Sequence, residues 1–217
     1  DEFAESIDRV IAGPERKSRV ISDREREITA YHEAGHAVVA HLLPNADKPF
    51  KVTIVARGST GGHTRYLPEE DRHLWTKMQF QDMLAAALGG RVAEELVFDE
   101  ITTGASNDLA QATNIARSMV TRYGMSEKLG PRTFGKRDEM VFLGREISEQ
   151  RDYSDKVAET IDEEVLTLIT TGYESAKHQL STNMSKLTTL SQYLISHETA
   201  ESETLQELLS SPDASPA

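Results

Sequence analysis

Apolar residues recur every three or four positions along several segments of the chain, a spacing typical of helices with one buried face. The first such segment follows Ser22-Asp23-Arg24-Glu25, which fits the S-x-x-E capping box of a helix N-terminus. It stops before Pro44, a residue that cannot continue a helix. Its apolar stripe consists of Ile28, Tyr31, Gly35, Val38, Val39 and Leu42. We therefore predict a helix over this segment.

The same reasoning predicts a second and a third helix. Thr76-Lys77-Met78-Gln79 is another capping box, and it opens a helix that we expect Gly89-Gly90 to kink or break before residues 92–98 continue. The third helix is predicted over residues 107–123, with Ser106 as its cap and Gly124 as its stop.

Two C-terminal helices are predicted to pack against each other as a hairpin. Their apolar positions are Val157, Ile161, Val165, Leu168 and Ile169 in the first, and Met184, Leu187, Leu190 and Leu194 in the second. Residues 129–153 show no such period, and the Ser/Pro/Ala-rich residues 210–217 are expected to be disordered.

Strand patterns are confined to one part of the chain. Residues 50–55 alternate with β-branched side chains, residues 58–62 are a glycine-rich turn, and residues 63–67 form a second candidate strand. The fold class is therefore predicted to be mainly α, with one small β-sheet and a C-terminal helical hairpin.

Composition excludes several functions. The chain has 217 residues and a formal net charge of −12, which argues against a nucleic-acid partner. It has no cysteine, so disulfides and thiolate metal sites are excluded. No apolar run approaches the roughly 20 residues of a membrane helix, and the chain itself is expected to be soluble. Because it begins at Asp1 without an initiator Met, we expect it to be part of a longer protein.

The predicted first helix contains His32-Glu33-Ala34-Gly35-His36, an H-E-x-x-H pattern. Two histidines four positions apart share one helix face, so both imidazoles can reach one ion. Zinc accepts nitrogen ligands and can keep one position open for water, from which Glu33 can remove a proton. The alternative is a helix with two buried, hydrogen-bonded histidines and a solvated glutamate.

A catalytic zinc normally has a third protein ligand, and the sequence leaves its identity open. Asp108, in the first turn of the third helix, and the adjacent pair Glu94 and Glu95 are the candidates. Asp108 has a short side chain held beside the Gly104 turn. Glu94 is also a candidate to hold a ligand histidine in its correct tautomer. For each of them, an ordinary solvated carboxylate is the alternative.

Five motifs, in this order, resemble the peptidase domain of FtsH-type AAA+ metalloproteases. They are Tyr31-His-Glu-Ala-Gly-His-Ala-Val-Val, Pro68-Glu-Glu-Asp, Gly89-Gly-Arg-Val-Ala-Glu-Glu-Leu, Thr102-Thr-Gly-Ala-Ser-Asn-Asp-Leu and Gly124-Met-Ser-Glu-Lys-Leu-Gly-Pro. The resemblance implies a helical, zincin-like fold with one Zn²⁺ on His32, His36 and Asp108. It also implies that Glu33 is the base and Glu94 supports a ligand.

The resemblance also implies a domain division and a cellular setting. Residues 1–19 resemble the end of an upstream ATPase module and its linker, residues 20–200 the peptidase domain, and residues 201–217 a short helix and tail. Family members are membrane-anchored homo-hexamers that degrade unfolded or damaged proteins, including membrane proteins. This domain is then expected on the cytoplasmic side of a bacterial inner membrane, or in a mitochondrial or thylakoid membrane.

ATP enters only through the upstream module. Residues 130–137 match G-x-x-x-x-G-K, but Arg137 stands where Ser or Thr must bind Mg²⁺, and Pro131 removes a backbone donor. We therefore expect no ATP hydrolysis by this chain.

The first strand suggests how a peptide could bind. If Val52, Thr53, Ile54 and Val55 form a sheet edge, they can pair with an extended substrate. An ordinary place within the sheet is the alternative for them. For the whole chain, the alternatives to a zinc endopeptidase are a helical assembly or adaptor module with structural or no zinc, and a metal-dependent amidase for small substrates.

Overall fold

A computed structural model describes residues 22–56, 61–67, 72–135 and 152–210. These residues form six α-helices and three short strands. The helices are α1 (Asp23–Leu42), α2 (Lys77–Phe98), α3 (Ser106–Thr121), α4 (Asp155–Thr182), α5 (Met184–His197) and α6 (Ser202–Ser210); the strands are β1 (Lys48–Thr53), β2 (His63–Leu67) and β3 (Thr199–Glu201). The predicted fold class, mainly α with one small sheet, is confirmed. No helix among these residues combines the length and apolarity needed to cross a membrane.

Some predictions fall outside the described residues. These are the N-terminal segment 1–19, most of the turn at 58–62, Lys136 and Arg137 of the G-x-x-x-x-G-K match, and the tail after residue 210.

The caps of α1 and α2 follow the sequence signals, but that of α3 does not. Ser22 accepts a hydrogen bond from the amide of Glu25 at 3.1 Å, and Thr76 and Gln79 form the predicted capping box. The prediction of Ser106 as the α3 cap is wrong, because a 3₁₀ turn (Thr103–Ala105) runs directly into the helix. Thr102 caps that turn instead, accepting a hydrogen bond from the amide of Gly104 at 3.0 Å.

Of the kink or break predicted at Gly89-Gly90, the break is wrong, because α2 is continuous from Lys77 to Phe98. Gly89 instead meets Gly35 of α1. A Cβ on Gly35 would lie 2.5 Å from the carbonyl oxygen of Gly89, and one on Gly89 would lie 2.7 Å from that of Gly35. Glycine therefore allows the backbones of α1 and α2 to touch.

The sheet has the antiparallel order β2-β1-β3. The first strand lies two residues earlier than predicted, so Ile54 and Val55 follow it rather than belong to it. Val52 pairs with Thr64 on one side and with Ala200 on the other. The expectation that Val52, Thr53, Ile54 and Val55 form a sheet edge is wrong, because β3 covers the side of β1 that β2 leaves open.

Two apolar clusters hold the helices together. One joins α1 and the sheet to α5 and α6; the other joins the first half of α2 to α3 and α4. Within the first cluster α5 packs mainly on α1 and has little contact with α4. The two C-terminal helices are thus consecutive, but they do not pack along each other as the hairpin prediction expected.

Candidate metal centre

The two histidines of α1 and Asp108 of α3 lie together where α1, α2 and α3 meet. His32 and His36 are 8% and 6% exposed, although histidine is commonly found nearer the surface. Asp108 reaches them from the first turn of α3, which the preceding 3₁₀ turn aims at α1. The fold therefore brings together three ligand groups from two separate segments.

The distances among these groups suit one small cation. The Nε2 atoms of His32 and His36 are 3.0 Å apart, and Oδ2 of Asp108 lies 3.1 Å and 3.5 Å from them, respectively. A tetrahedral Zn²⁺ with ligands at about 2.0–2.1 Å separates neighbouring ligand atoms by about 3.3–3.4 Å. The three atoms are thus spaced about as the ligand atoms of one such ion would be.

Hydrogen bonds made by the Nδ1 atoms of His32 and His36 leave the Nε2 atoms facing the metal centre. Nδ1 of His36 donates to the carbonyl oxygen of Ala86 at 2.8 Å, and Nδ1 of His32 donates to Oε1 of Glu94 at 2.7 Å. In a neutral imidazole, the other nitrogen then carries a lone pair. When both rings are neutral, as metal ligands are, two nitrogen lone pairs and a carboxylate oxygen converge, which is the donor set that zinc accepts.

The charges at the centre also favour a cation. Burial lowers the pKa of His32, but hydrogen bonds to Asp108 and Glu94 outweigh it and raise that pKa to about 10. Burial opposes the charge of Asp108, yet its hydrogen bonds to the two histidines hold the pKa of its carboxyl below the usual range. The surrounding carboxylates therefore stabilise positive charge between these side chains.

Glu94 and Glu95 are neighbours with different surroundings. The carboxylate of Glu94 accepts from Nδ1 of His32 and, through Oε2, from the amide of Thr102 at 2.9 Å. Burial opposes the charge of Glu94, but these bonds lower its pKa. Glu95 instead accepts from the hydroxyl of Tyr173 at 2.6 Å, and it is not part of the ligand group. Of the three candidates, Asp108 is the one that the structure brings to the two histidines.

Glu33 lies beside this group and is 7% exposed. Burial raises the pKa of its carboxyl, whereas the charges of His36 and His32 and a hydrogen bond from Thr64 act in the opposite direction. The Thr64 hydroxyl lies 2.9 Å from Oε2 of Glu33. The hydrogen bond to the carboxylate of Glu33 therefore comes from β2.

Sequence reasoning missed three groups at the centre. Ala86 and Thr102 act through backbone atoms, for which residue type gives no signal. Gly90 gave a signal that was interpreted as a helix break. A Cβ there would lie 2.5 Å from Nε2 of His36 and 2.6 Å from Nε2 of His32, so glycine leaves the room that the imidazoles need.

A buried H-E-x-x-H helix joined by an aspartate from a second helix is the site of a metallopeptidase. Peptidase family M41 matches residues 19–208 of the chain, and the chain belongs to that family.

Similar curated proteins carry matching names. The chain is 60% identical over 215 residues to the ATP-dependent zinc metalloprotease FtsH 1 of Sphaerobacter thermophilus, covering 99% of this chain and 33% of that protein. It is 57% identical to FtsH 1 of Thermomicrobium roseum and 48% identical to FtsH 3 of Synechocystis, again over 99% of this chain. The chain spans about a third of the length of these relatives.

The family and the relatives confirm the predicted resemblance and the prediction of a metalloprotease. Together with the His-His-Asp group they support the predicted Zn²⁺. The alternative of an adaptor module without catalysis is not favoured.

Proposed function

We propose that this chain is the peptide-cleaving part of an ATP-driven protease, with His32, His36 and Asp108 as the zinc ligands and Glu33 as the general base. One observation carries the assignment: three candidate ligand atoms lie within 3.5 Å of one another, and two of them come from the helix that also bears the buried glutamate. When bound, Zn²⁺ supplies a Lewis acid that polarises the scissile carbonyl and lowers the pKa of water.

The residues of the chain perform the proton transfers. Glu33 takes a proton from the water that attacks the carbonyl carbon, then delivers that proton to the amine as the C–N bond breaks. The products are a carboxylic acid and an amine, and Glu33 returns to its ionised form. Glu94 and the Ala86 carbonyl keep the two imidazoles in the tautomer with Nε2 free.

For the substrate we propose β2 in place of the Val52–Val55 segment. In the described sheet β2 is an outer strand, and its Thr64 contacts Glu33. An extended peptide added to this edge pairs through its backbone, which suits a protease that accepts many sequences. We expect the substrate to be unfolded polypeptide.

The setting of the whole protein is part of the same proposal. The similar proteins are named ATP-dependent, and the chain matches about a third of their length. This supports an ATPase elsewhere in the whole protein, and the resemblance described above supports a ring that feeds polypeptide to six peptidase domains. The resemblance described above further supports a membrane anchor upstream, with this domain on the cytoplasmic side.

Metal content and casein cleavage test the proposal together. The purified chain should bind one zinc and cleave casein in a chelator-sensitive way. Asp108→Ala should lose the zinc and the cleavage, whereas Glu95→Ala, the matched control, should keep both. Full zinc content in Asp108→Ala would contradict the ligand assignment. Zinc binding without casein cleavage would favour the adaptor module, or a small-substrate amidase if small amides are cut.

A further inference from the structure

The hydroxyl of Thr64 contacts the general base at two atoms. Its Oγ1 lies 2.9 Å from carboxylate oxygen Oε2 of Glu33 and 3.1 Å from the main-chain carbonyl oxygen of the same residue. A threonine hydroxyl has one proton and two lone pairs, so it donates to one of these acceptors at a time. Rotation about the C–O bond switches it between them.

The strand that carries Thr64 is held firmly. Thr64 pairs with Val52 of the central strand, and Val52 is fully buried. Two residues earlier, Gly62 lies directly against the base: a Cβ there would be 2.9 Å from Cγ and 3.0 Å from Oε1 of Glu33. The hydroxyl is therefore presented to Glu33 from a fixed backbone.

The carboxylate of a glutamate needs such a contact to have one orientation. The terminal torsion of Glu is broad and roughly two-fold, so the side chain itself does not select a plane for the carboxylate. Within the described residues, Thr64 is the hydrogen-bond donor to the carboxylate of Glu33. A bond to Oε2 leaves the other oxygen outside that contact.

We propose that Thr64 is the positioning residue of Glu33, and that its hydroxyl holds the carboxylate in the plane needed for proton transfer. This inference rests on the proposed role of Glu33 as the base. While Glu33 is ionised, the hydroxyl donates to Oε2. Once Glu33 holds the proton from water on its other oxygen, Oε1, the hydroxyl still donates to Oε2, which is then the carbonyl oxygen of the acid. Thr64 neither gains nor loses a proton over the cycle.

The decisive variant is Thr64→Val, which keeps the shape and removes the hydroxyl. A hydrogen bond to a charged group is worth enough to change a rate by about 10- to 100-fold. We expect kcat for a fluorogenic peptide to fall by this factor in the zinc-loaded chain, while KM and zinc content stay within about twofold, as for an interaction made in the transition state. Thr64→Ser restores the hydroxyl and should return kcat to within about threefold of the original.

Thr29→Val is the matched control. Thr29 lies on the same helix one turn earlier, and its hydroxyl donates to the carbonyl of Glu25 at 2.9 Å. It also faces the residue before Gly62, since a Cβ on Gly61 would lie 3.5 Å from its Oγ1. This variant loses a threonine hydroxyl from the same helix but keeps the hydrogen bond between Thr64 and Glu33, so kcat should not change.

A binding measurement provides a readout independent of turnover. A peptidyl hydroxamate gives up a proton as it chelates zinc, whereas the corresponding peptidyl carboxylate is already ionised. Thr64→Val should weaken the hydroxamate by about tenfold and leave the carboxylate nearly unchanged, because only the first ligand needs an oriented base.

The opposite pattern would overturn the inference. If Thr64 only attaches β2 to α1, Thr64→Val would lower the melting temperature and raise KM with kcat unchanged, and both inhibitors would weaken equally. Failure of the proposed function gives a different result, because the unsubstituted chain would then cleave no peptide.

Discussion

The metal centre and the leucine cluster of the C-terminal helices are both buried, but they are packed by opposite means. At the metal centre the side chains of His32, His36 and Glu94 are buried although they are polar or charged, and glycines bring the helix backbones into contact. Around Leu190 the buried positions are large and apolar: Leu180, Leu187, Leu190, Leu194, Leu205 and Leu209 are all 0% exposed. Burial of apolar side chains stabilises the fold, whereas burial of charge costs free energy unless hydrogen bonds offset it.

The contrast indicates that stability and activity are supplied by different residues of one small domain. Substitutions at the centre should alter catalysis or zinc affinity with little change in stability, and substitutions in the leucine cluster should do the reverse. Three substitutions test this separation, and a fourth tests a hydrogen bond to Glu95, which is not part of the ligand group.

The largest effect is expected for Glu33→Gln. Loss of a general base typically slows a reaction by about 10²- to 10⁴-fold. Zinc content should stay at the level of the unsubstituted chain, and the melting temperature should not fall, because a buried carboxylate is removed. Peptide cleavage, zinc analysis and thermal unfolding measure the three quantities. Glu25→Gln in the exposed first turn of α1 is the control. If Glu33→Gln still cleaves peptide, Glu33 is not the general base.

Next in size is Leu190→Ala, in the other region. Removing a fully buried leucine side chain typically costs about 2–5 kcal/mol of unfolding free energy. Below the melting temperature, kcat per folded molecule and zinc affinity should be unchanged. Denaturant unfolding measures the free energy of unfolding. Leu166→Ala, at a position that is 66% exposed, is the control. A fall in kcat of the folded protein would show that the two regions are coupled.

Glu94→Gln should have an intermediate effect at the centre. The amide oxygen can still accept a hydrogen bond from Nδ1 of His32, but the negative charge of the carboxylate is lost. Substituting a residue that is hydrogen-bonded to a metal ligand typically weakens metal binding by about 10- to 100-fold. Glu95→Gln, one residue along the helix and facing Tyr173, should leave zinc affinity unchanged. Competition with a chromogenic chelator measures the zinc affinity of both variants. An equal loss of affinity in both would mean that the effect does not act through His32.

The smallest effect concerns Tyr173→Phe. The hydrogen bond from Tyr173 is the main cause that lowers the pKa of Glu95 below 4.5. A carboxyl with a lowered folded pKa contributes stability above its unfolded pKa, and that contribution is lost as the pH falls through the folded value. The variant should therefore lose about 1 kcal/mol at pH 7 and less at pH 3. Tyr193→Phe is the control, and an equal loss at both pH values would exclude the linkage to Glu95.

The features that could be predicted from the sequence are those determined by residues close to one another in the chain. The capping boxes at Ser22 and Thr76 and the H-E-x-x-H spacing need only one helix to be interpreted. Features that depend on a partner were missed or left open. Glu94 and Glu95 are equivalent in spacing, and only the positions of His32 and Tyr173 distinguish them.

Two mispredictions have the same origin. Whether β1 is an edge depends on β3, a strand of three residues that is too short to show a period. Gly89 and Gly90 predict a helix break when the helix is considered alone, because glycine weakens a helix interior. The compensating contact with Gly35 and the imidazoles belongs to another segment of the chain.

The contact between Gly35 and Gly89 has a consequence for precision. Ala86 and Gly90, which border the imidazoles, lie within one turn of Gly89, and Gly35 immediately precedes His36. Any side chain at the crossing would act as a spacer and displace the histidines from an aspartate anchored elsewhere. A displacement of about 1 Å can cost on the order of 100-fold in rate. Two glycines that carry no reactive group thus determine how accurately the histidines are positioned relative to Asp108.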